Sequence, residues 1–177
     1  MTARENQYPW YRIAEADDGL EQGDFFDSCP VVMPSMAIEL GNVTAEVVEY
    51  DVIVMSQSCD LKYEKVDLVV VCPIWPFDEF AKRNDFFRGK TGKEALRQGY
   101  APGYHLLSKC DLPGFQKGYL IVDFHNVYGI PFKWLMDLAK RTGQRLRLLS
   151  PYKEHLSQAF ARFFMRVGLP VDIPPFT

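Results

Sequence analysis

Several things are scarce or missing in this chain. It has three histidines, four cysteines and no run of 18 apolar residues. A membrane-spanning helix needs roughly 20 mostly apolar residues in succession, so no such segment and no membrane partner are expected. The opening stretch MTARENQYPWYRIAEADDG lacks the apolar centre of a signal peptide and the acid-poor, Arg- and Ser-rich make-up of a transit peptide. Cys29, Cys59, Cys72 and Cys110 form no C-x-x-C pair. Without an export signal they predict free thiols and a cytoplasmic protein. No repeat, low-complexity tract or linker interrupts the sequence, so residues 1–177 are read as one domain.

What is present suffices for a packed core: 47% of residues are apolar, 14% are aromatic and 24% are charged. The net charge of −3 hides a split. Residues 1–132 carry 12 basic and 20 acidic side chains, whereas residues 133–177 carry 8 basic and 3 acidic. A basic C-terminal part packed on an acidic body explains this, and so does a surface for nucleic acid or an acidic partner.

Strands are expected near Asp24–Phe26, Met36–Leu40 and Val48–Val54, the last half-exposed at its start and buried at its end. VDLVVVCPI reads as a buried strand ended by Pro73 and Pro76. FDEFAKRNDFF has helical spacing, and TGKEALRQG reads as a short helix with a Thr91/Glu94 capping box and a stop at Gly99. GYHLLSKC and GYLIVDFHNVYGI each read as one strand. A helix then starts at Pro131 and ends at Gly143, RLRLL is strand-like, and a last helix runs from an N-cap at Ser150 to Gly168–Leu169–Pro170. Its apolar stripe is Leu156, Phe160, Phe163 and Val167. This order predicts an α+β protein: a small antiparallel barrel with a helical insert and C-terminal helices.

The order of Gln22-Gly23-Asp24, the apolar strand DVIVMS ending at Ser56, VDLVVVCPI and VDFHNVYGIP resembles the PemK/MazF-type toxin family. The resemblance implies an SH3-like barrel core over about 20–75 and 119–130, an insert over about 76–118 without counterpart, and a helical part over about 131–168. It also implies a toxin-like or regulatory module that binds RNA. That family's ribonuclease needs an arginine in the loop between the first strands, plus a hydroxyl that Ser56 matches. No arginine lies between Arg12 and Arg83, and the loop ELGNVTAEVVEYD is acidic. The implied chemistry is therefore degenerate, or its cation comes from the N-terminal arm, the insert or the basic tail.

The reactive residues give further readings. Cys59 in SQSCDL would be a nucleophile if a base such as His105 or His125 reached it, with Ser56 and Asp60 beside it. It would be a zinc ligand if Cys29, His105 and Cys110 converged on it. Otherwise it is a turn thiol, with Ser58 and Asp60 capping backbone groups. Arg145 and Arg147 alternate on one strand face, so with Lys140 and Arg141 they would track a nucleic-acid backbone beside Tyr152 or Trp134. A charged edge strand explains the same pattern. A third reading is an interaction subunit, homo-oligomeric or bound to a partner protein, docking through the Asp85-Phe86-Phe87 segment of the insert.

Overall fold

The computed structural model describes residues 8–34 and 45–165. In chain order, β1 (Tyr11–Ala14) leads to β2 (Phe25–Pro34) and β3 (Ala45–Val54), and a short α1 (Ser58–Lys62) precedes β4 (Leu68–Pro76). Three helices follow, α2 (Phe77–Arg83), α3 (Asp85–Arg88) and α4 (Lys90–Arg97). Next come β5 (Tyr104–Leu107), β6 (Leu120–Asp123) and β7 (Tyr128–Pro131). The elements α5 (Phe132–Thr142), β8 (Arg145–Leu148) and α6 (Tyr152–Phe164) complete the described chain. The expected strand at Met36–Leu40 and the terminator at Gly168–Pro170 lie outside the described residues.

The architecture is α+β, and all strand pairing is antiparallel. One sheet runs β2-β3-β4-β6-β5, with β7 also on β4, while β1 and β8 form a separate pair. Its path is open, from β2 at one edge to β5 at the other. The two sheets touch at Gly23, whose N–H donates to Val54 and whose carbonyl accepts from Leu148 N–H. Gly23 has φ +87, and a Cβ there would lie 2.9 Å from that of Leu148. Only glycine combines that backbone with that approach.

Alternation along β3 and β4 divides the interior. Ile53, Cys72, Ile74 and Val122 face β8 and α6, joined by Leu146, Leu148 and Leu156. Val52, Val54, Val69 and Val71 face the other way, against Leu61 of α1 and Leu135 and Ala139 of α5. Ile121 and Trp75 carry the insert, through Phe80, Phe87 and Leu96. Burying a side chain such as Leu156 contributes about 1.5–3 kcal/mol before entropy is counted. β3 is exposed at its start and buried over Val52–Val54, as its pattern implies.

Several local expectations need correction. β4 does not end at Pro73, which lies opposite Val52 within the ladder. The residues GYLIVDFHNVYGI form two strands, β6 and β7, rather than one. Between the pairs Ile74–Val122 and Val71–Tyr128, two residues of β4 are matched by five on that partner. The two corrections share a cause. Phe132 N–H donates to Asp67 and Phe77 N–H to Tyr119, so odd-numbered residues of β4 face this edge. Pro73, which has no N–H, therefore falls where the partner strand bulges away. The segment FDEFAKRNDFF forms two helices, α2 and α3, where one was expected, and the insert contributes β5 to the sheet. No Thr91 capping box forms: α4 is capped by Gly89 without a side-chain bond, and Glu94 pairs with Arg97 instead. At α6 the N-cap is Pro151, and Ser150 Oγ donates to Glu154.

Candidate functional site

The polar run after β3 is first of all a joint. Ser56 Oγ accepts the Val70 N–H at 2.8 Å. Ser58 Oγ accepts the Gln22 N–H at 3.1 Å, and Gln22 Nε2 donates to Met55 O at 2.8 Å. Ser-Gln-Ser thereby ties Gln22-Gly23-Asp24 to the end of β3, and Cys59 falls in the first turn of α1. Its thiol is exposed, and its hydrogen-bond partner is the Asp60 carboxylate at 3.8 Å. The cleft beside it, about 460 Å³, is lined by Gln22, Gln57, Lys153 and Ser157 among others, with no histidine. Neither His105 nor His125 is brought to Cys59.

The four expected zinc ligands are not gathered either. Cys110 is buried in the core that faces α6 and Cys29 in the core that faces α5, whereas Cys59 is at the surface. Among the described residues no group of three His, Cys, Asp or Glu side chains is placed to hold a metal ion. Burial raises the Cys29 thiol to about 11 and, with Asp123 nearby as the second cause, that of Cys72 to about 12. Both are packing residues.

Arg145 and Arg147 project to one face, as their alternation implies, but that face is the interior. Their side chains are 1% and 2% exposed, and the Asp24 carboxylate between them is 0% exposed. Arg145 Nε donates to Asp24 at 2.9 Å and its Nη atoms to the carbonyls of Glu15, Asp18 and Gly19. Arg147 donates to Asp24 through Nε and Nη2, to Gly19 O, and to Glu21 at 2.6 Å. An exposed phosphate-tracking strand is corrected to a buried ion cluster, because Asp24 supplies the charge that makes this burial tolerable. Lys140 and Arg141 are exposed in the last turn of α5, apart from that cluster. In the Asp85-Phe86-Phe87 segment, Phe87 is buried against Phe80 and Phe86 is exposed.

His125 sits in the bulge between β6 and β7. Asp123 Oδ1 accepts from the His125 backbone N–H and pairs with its Nδ1, both at 3.0 Å, and Asp123 Oδ2 accepts from Asn126 Nδ2 at 2.8 Å. The imidazole lies against Tyr104 and Phe163 and over Gly103, where any Cβ would overlap the ring.

A row of neighbouring hollows lies along β5, lined also by residues of α4 and α6. Three hollows of about 370, 360 and 390 Å³ share walls there. The first two share Gln98, Gly99, His105 and His155; the first and third share Leu96, Arg97, Leu106 and Tyr119. Cations and rings alternate along this groove. Lys93 lies over Phe77, Lys109 over Tyr119, Trp10 stacks on Tyr152 at 3.7 Å, and Arg162 closes the far end. Asp78 is the one carboxylate among the residues lining these hollows. Glu94 pairs with Arg97 at the rim. Desolvation, and secondly the nearby His155, push His105 down to about 4, so its ring is neutral at pH 7. The indole N–H of Trp10 is buried without a partner among the described residues.

The sequence pointed to Tyr152 as a stacking ring, but beside Arg145 and Arg147, and to His105 as a base or zinc ligand; Arg97, Tyr119 and Arg162 were missed as parts of one surface. Residues 10, 97, 119 and 162 carry no local motif, and only the meeting of insert and terminal helix at the β5 edge unites them. No family model, no curated protein and no solved structure matches the chain.

Proposed function

We propose that the chain is a binding module for single-stranded RNA, and that the strand lies in the groove along β5. The observation that carries this reading is the alternation of Lys93, Arg97 and Arg162 with Phe77, Tyr119, Tyr152 and Trp10 around a single lining carboxylate. Cations spaced among rings bind an unpaired strand by neutralising phosphates while bases lie on aromatic faces, and stacking contributes about 1–3 kcal/mol per base. A duplex cannot offer its base faces, so the groove favours single strands. The cations come from the insert and from α6, not from β8.

The resemblance to PemK/MazF-type toxins enters at the same level. The joint at Gly23, which bonds both sheets, supports reading the strands as an opened SH3-like barrel. The ribonuclease position of that family is taken as degenerate here: the Ser56 hydroxyl is held by Val70, and Arg145 and Arg147 are spent on Asp24.

The test is fluorescence anisotropy with a labelled 12-nucleotide RNA at several salt concentrations. Arg97 is paired with Glu94, so Lys93 and Arg162 together predict a slope of about −1.4 in log affinity against log salt, at about −0.7 per phosphate neutralised. Arg162→Glu should weaken binding and make that slope shallower. Binding that ignores salt, or that duplex RNA competes away at equal concentration, would remove the proposal. Preference for an acidic extended peptide would instead indicate a protein partner at the β5 edge.

A further inference from the structure

A second, smaller pocket adjoins the groove through Tyr104, which lines both. It lies between α2 and the bulge after β6, measures about 220 Å³, and is walled by Trp75, Glu79, Arg83, Tyr104, Asp123 and Asn126 among others. We propose that this pocket takes one guanine base, so that the module prefers RNA carrying guanine at one position; the inference rests on the RNA reading above.

The volume suits a single base turned out of a strand. Trp75 and Tyr104 supply its aromatic walls. Glu79 and Arg83 lie one helical turn apart on α2, both exposed, and make no ion pair with each other. Arg83 is instead held over the Trp75 ring, 5.4 Å from its centre. A carboxylate and a guanidinium left unpaired in one small pocket match a ligand that presents paired donors on one edge and paired acceptors on another. Guanine does so: N1–H and N2–H₂ suit a carboxylate, and O6 with N7 is the commonest specific partner of arginine. Adenine has no acceptor pair for arginine, and its Watson–Crick edge gives a carboxylate only one donor. Asn126 adds specificity. Its Nδ2 is spent on Asp123, which leaves Oδ1 as a fixed acceptor. Asp123 is occupied by His125 and Asn126, so it shapes the pocket rather than reading the base.

The experiment compares labelled 12-nucleotide RNAs that are identical except for one central base: guanine, inosine or adenine. Full-length protein should bind the guanine strand about tenfold more tightly than the inosine strand, which lacks the 2-amino donor, and tighter still than the adenine strand. One good bidentate pair discriminates by about 1–3 kcal/mol. Glu79→Gln should abolish the guanine–inosine difference while leaving the adenine strand within about twofold of its wild-type affinity. Arg83→Ala, also on an exposed face, serves as the second variant and should narrow the guanine–adenine gap. Guanosine monophosphate in a competition arm separates the two sources of the base. Displacement of RNA by micromolar nucleotide points to free guanine nucleotide as the ligand and overturns RNA reading by this pocket. Equal binding of all three strands overturns the guanine pocket and leaves the groove intact. No binding of any strand overturns the groove itself.

Discussion

Replacing Asp24 with alanine perturbs this fold most directly. The carboxylate receives Arg145 Nε at 2.9 Å, Arg147 Nη2 at 2.8 Å, a further bond from Arg147 Nε, and the Glu21 backbone N–H at 3.1 Å. All three side chains are at most 2% exposed. Asp24→Ala would leave two guanidinium groups in the interior with only carbonyl partners and the half-buried Glu21. Removing one partner of a buried ion pair costs about 3–5 kcal/mol, because the remaining charge stays desolvated. For a chain of this length each kcal/mol shifts the midpoint by roughly 2–4 °C, so Tm should fall by about 6–20 °C. Calorimetry, with guanidinium titrations checking that the transition remains two-state, measures it. The triple replacement Asp24→Leu, Arg145→Met, Arg147→Leu should recover most of the loss, since apolar groups of similar volume fill such sites without charge. A loss below about 1 kcal/mol for Asp24→Ala, the range of a solvent-exposed pair, would refute the reasoning. The same cluster explains why an Arg145→Ala, Arg147→Ala double variant cannot test RNA binding: it would lose the fold first.

Three further outcomes follow from the packing. Iodoacetamide should modify one thiol, Cys59, in the native protein and all four after denaturation, as counted by intact mass; early reaction at Cys29, Cys72 or Cys110 would contradict their burial. Gly103→Ala should force the His125 ring off its seat over residue 103 and break its bond to Asp123, at a cost of about 1–3 kcal/mol typical of overpacking. An unchanged His125 NMR signal would show the ring unmoved. His105 provides a pH prediction. Its folded pKa of about 4 lies below the ordinary 6.5, so the unfolded chain protonates first. The stability of the neutral form is whole above about pH 6.5 and is lost as pH falls towards about 4, up to about 3 kcal/mol. His105→Gln should flatten that part of the stability curve, and equal slopes in the two proteins would contradict the cause.

Elements whose signal is local were legible in the sequence. The gradient of burial along β3, the helix between Pro131 and Gly143, and the inward face of α6 all follow from spacing. What failed was decided elsewhere in the chain. Pro73 looked like a strand end because its missing N–H counts against a ladder, and the bulge at 124–127 that removes the need for a donor lies some fifty residues on. Arg145 and Arg147 looked like a surface because charge is normally solvated, and Asp24, more than a hundred residues earlier, reverses that. The groove as one surface had no local signature beyond Tyr152, because its cations and rings come from the segment before β1, the insert and α6.

Ultraviolet cross-linking of a uridine-rich 12-nucleotide RNA to the intact protein, followed by peptide mass spectrometry, locates the bound strand on the surface. Binding in the groove along β5 gives adducts on the peptides that carry Trp10, Tyr119 and Tyr152, lost when Arg97 and Arg162 are both changed to glutamate. Adducts confined to α5, to Lys140 and Arg141, or to the Cys59 cleft would contradict it.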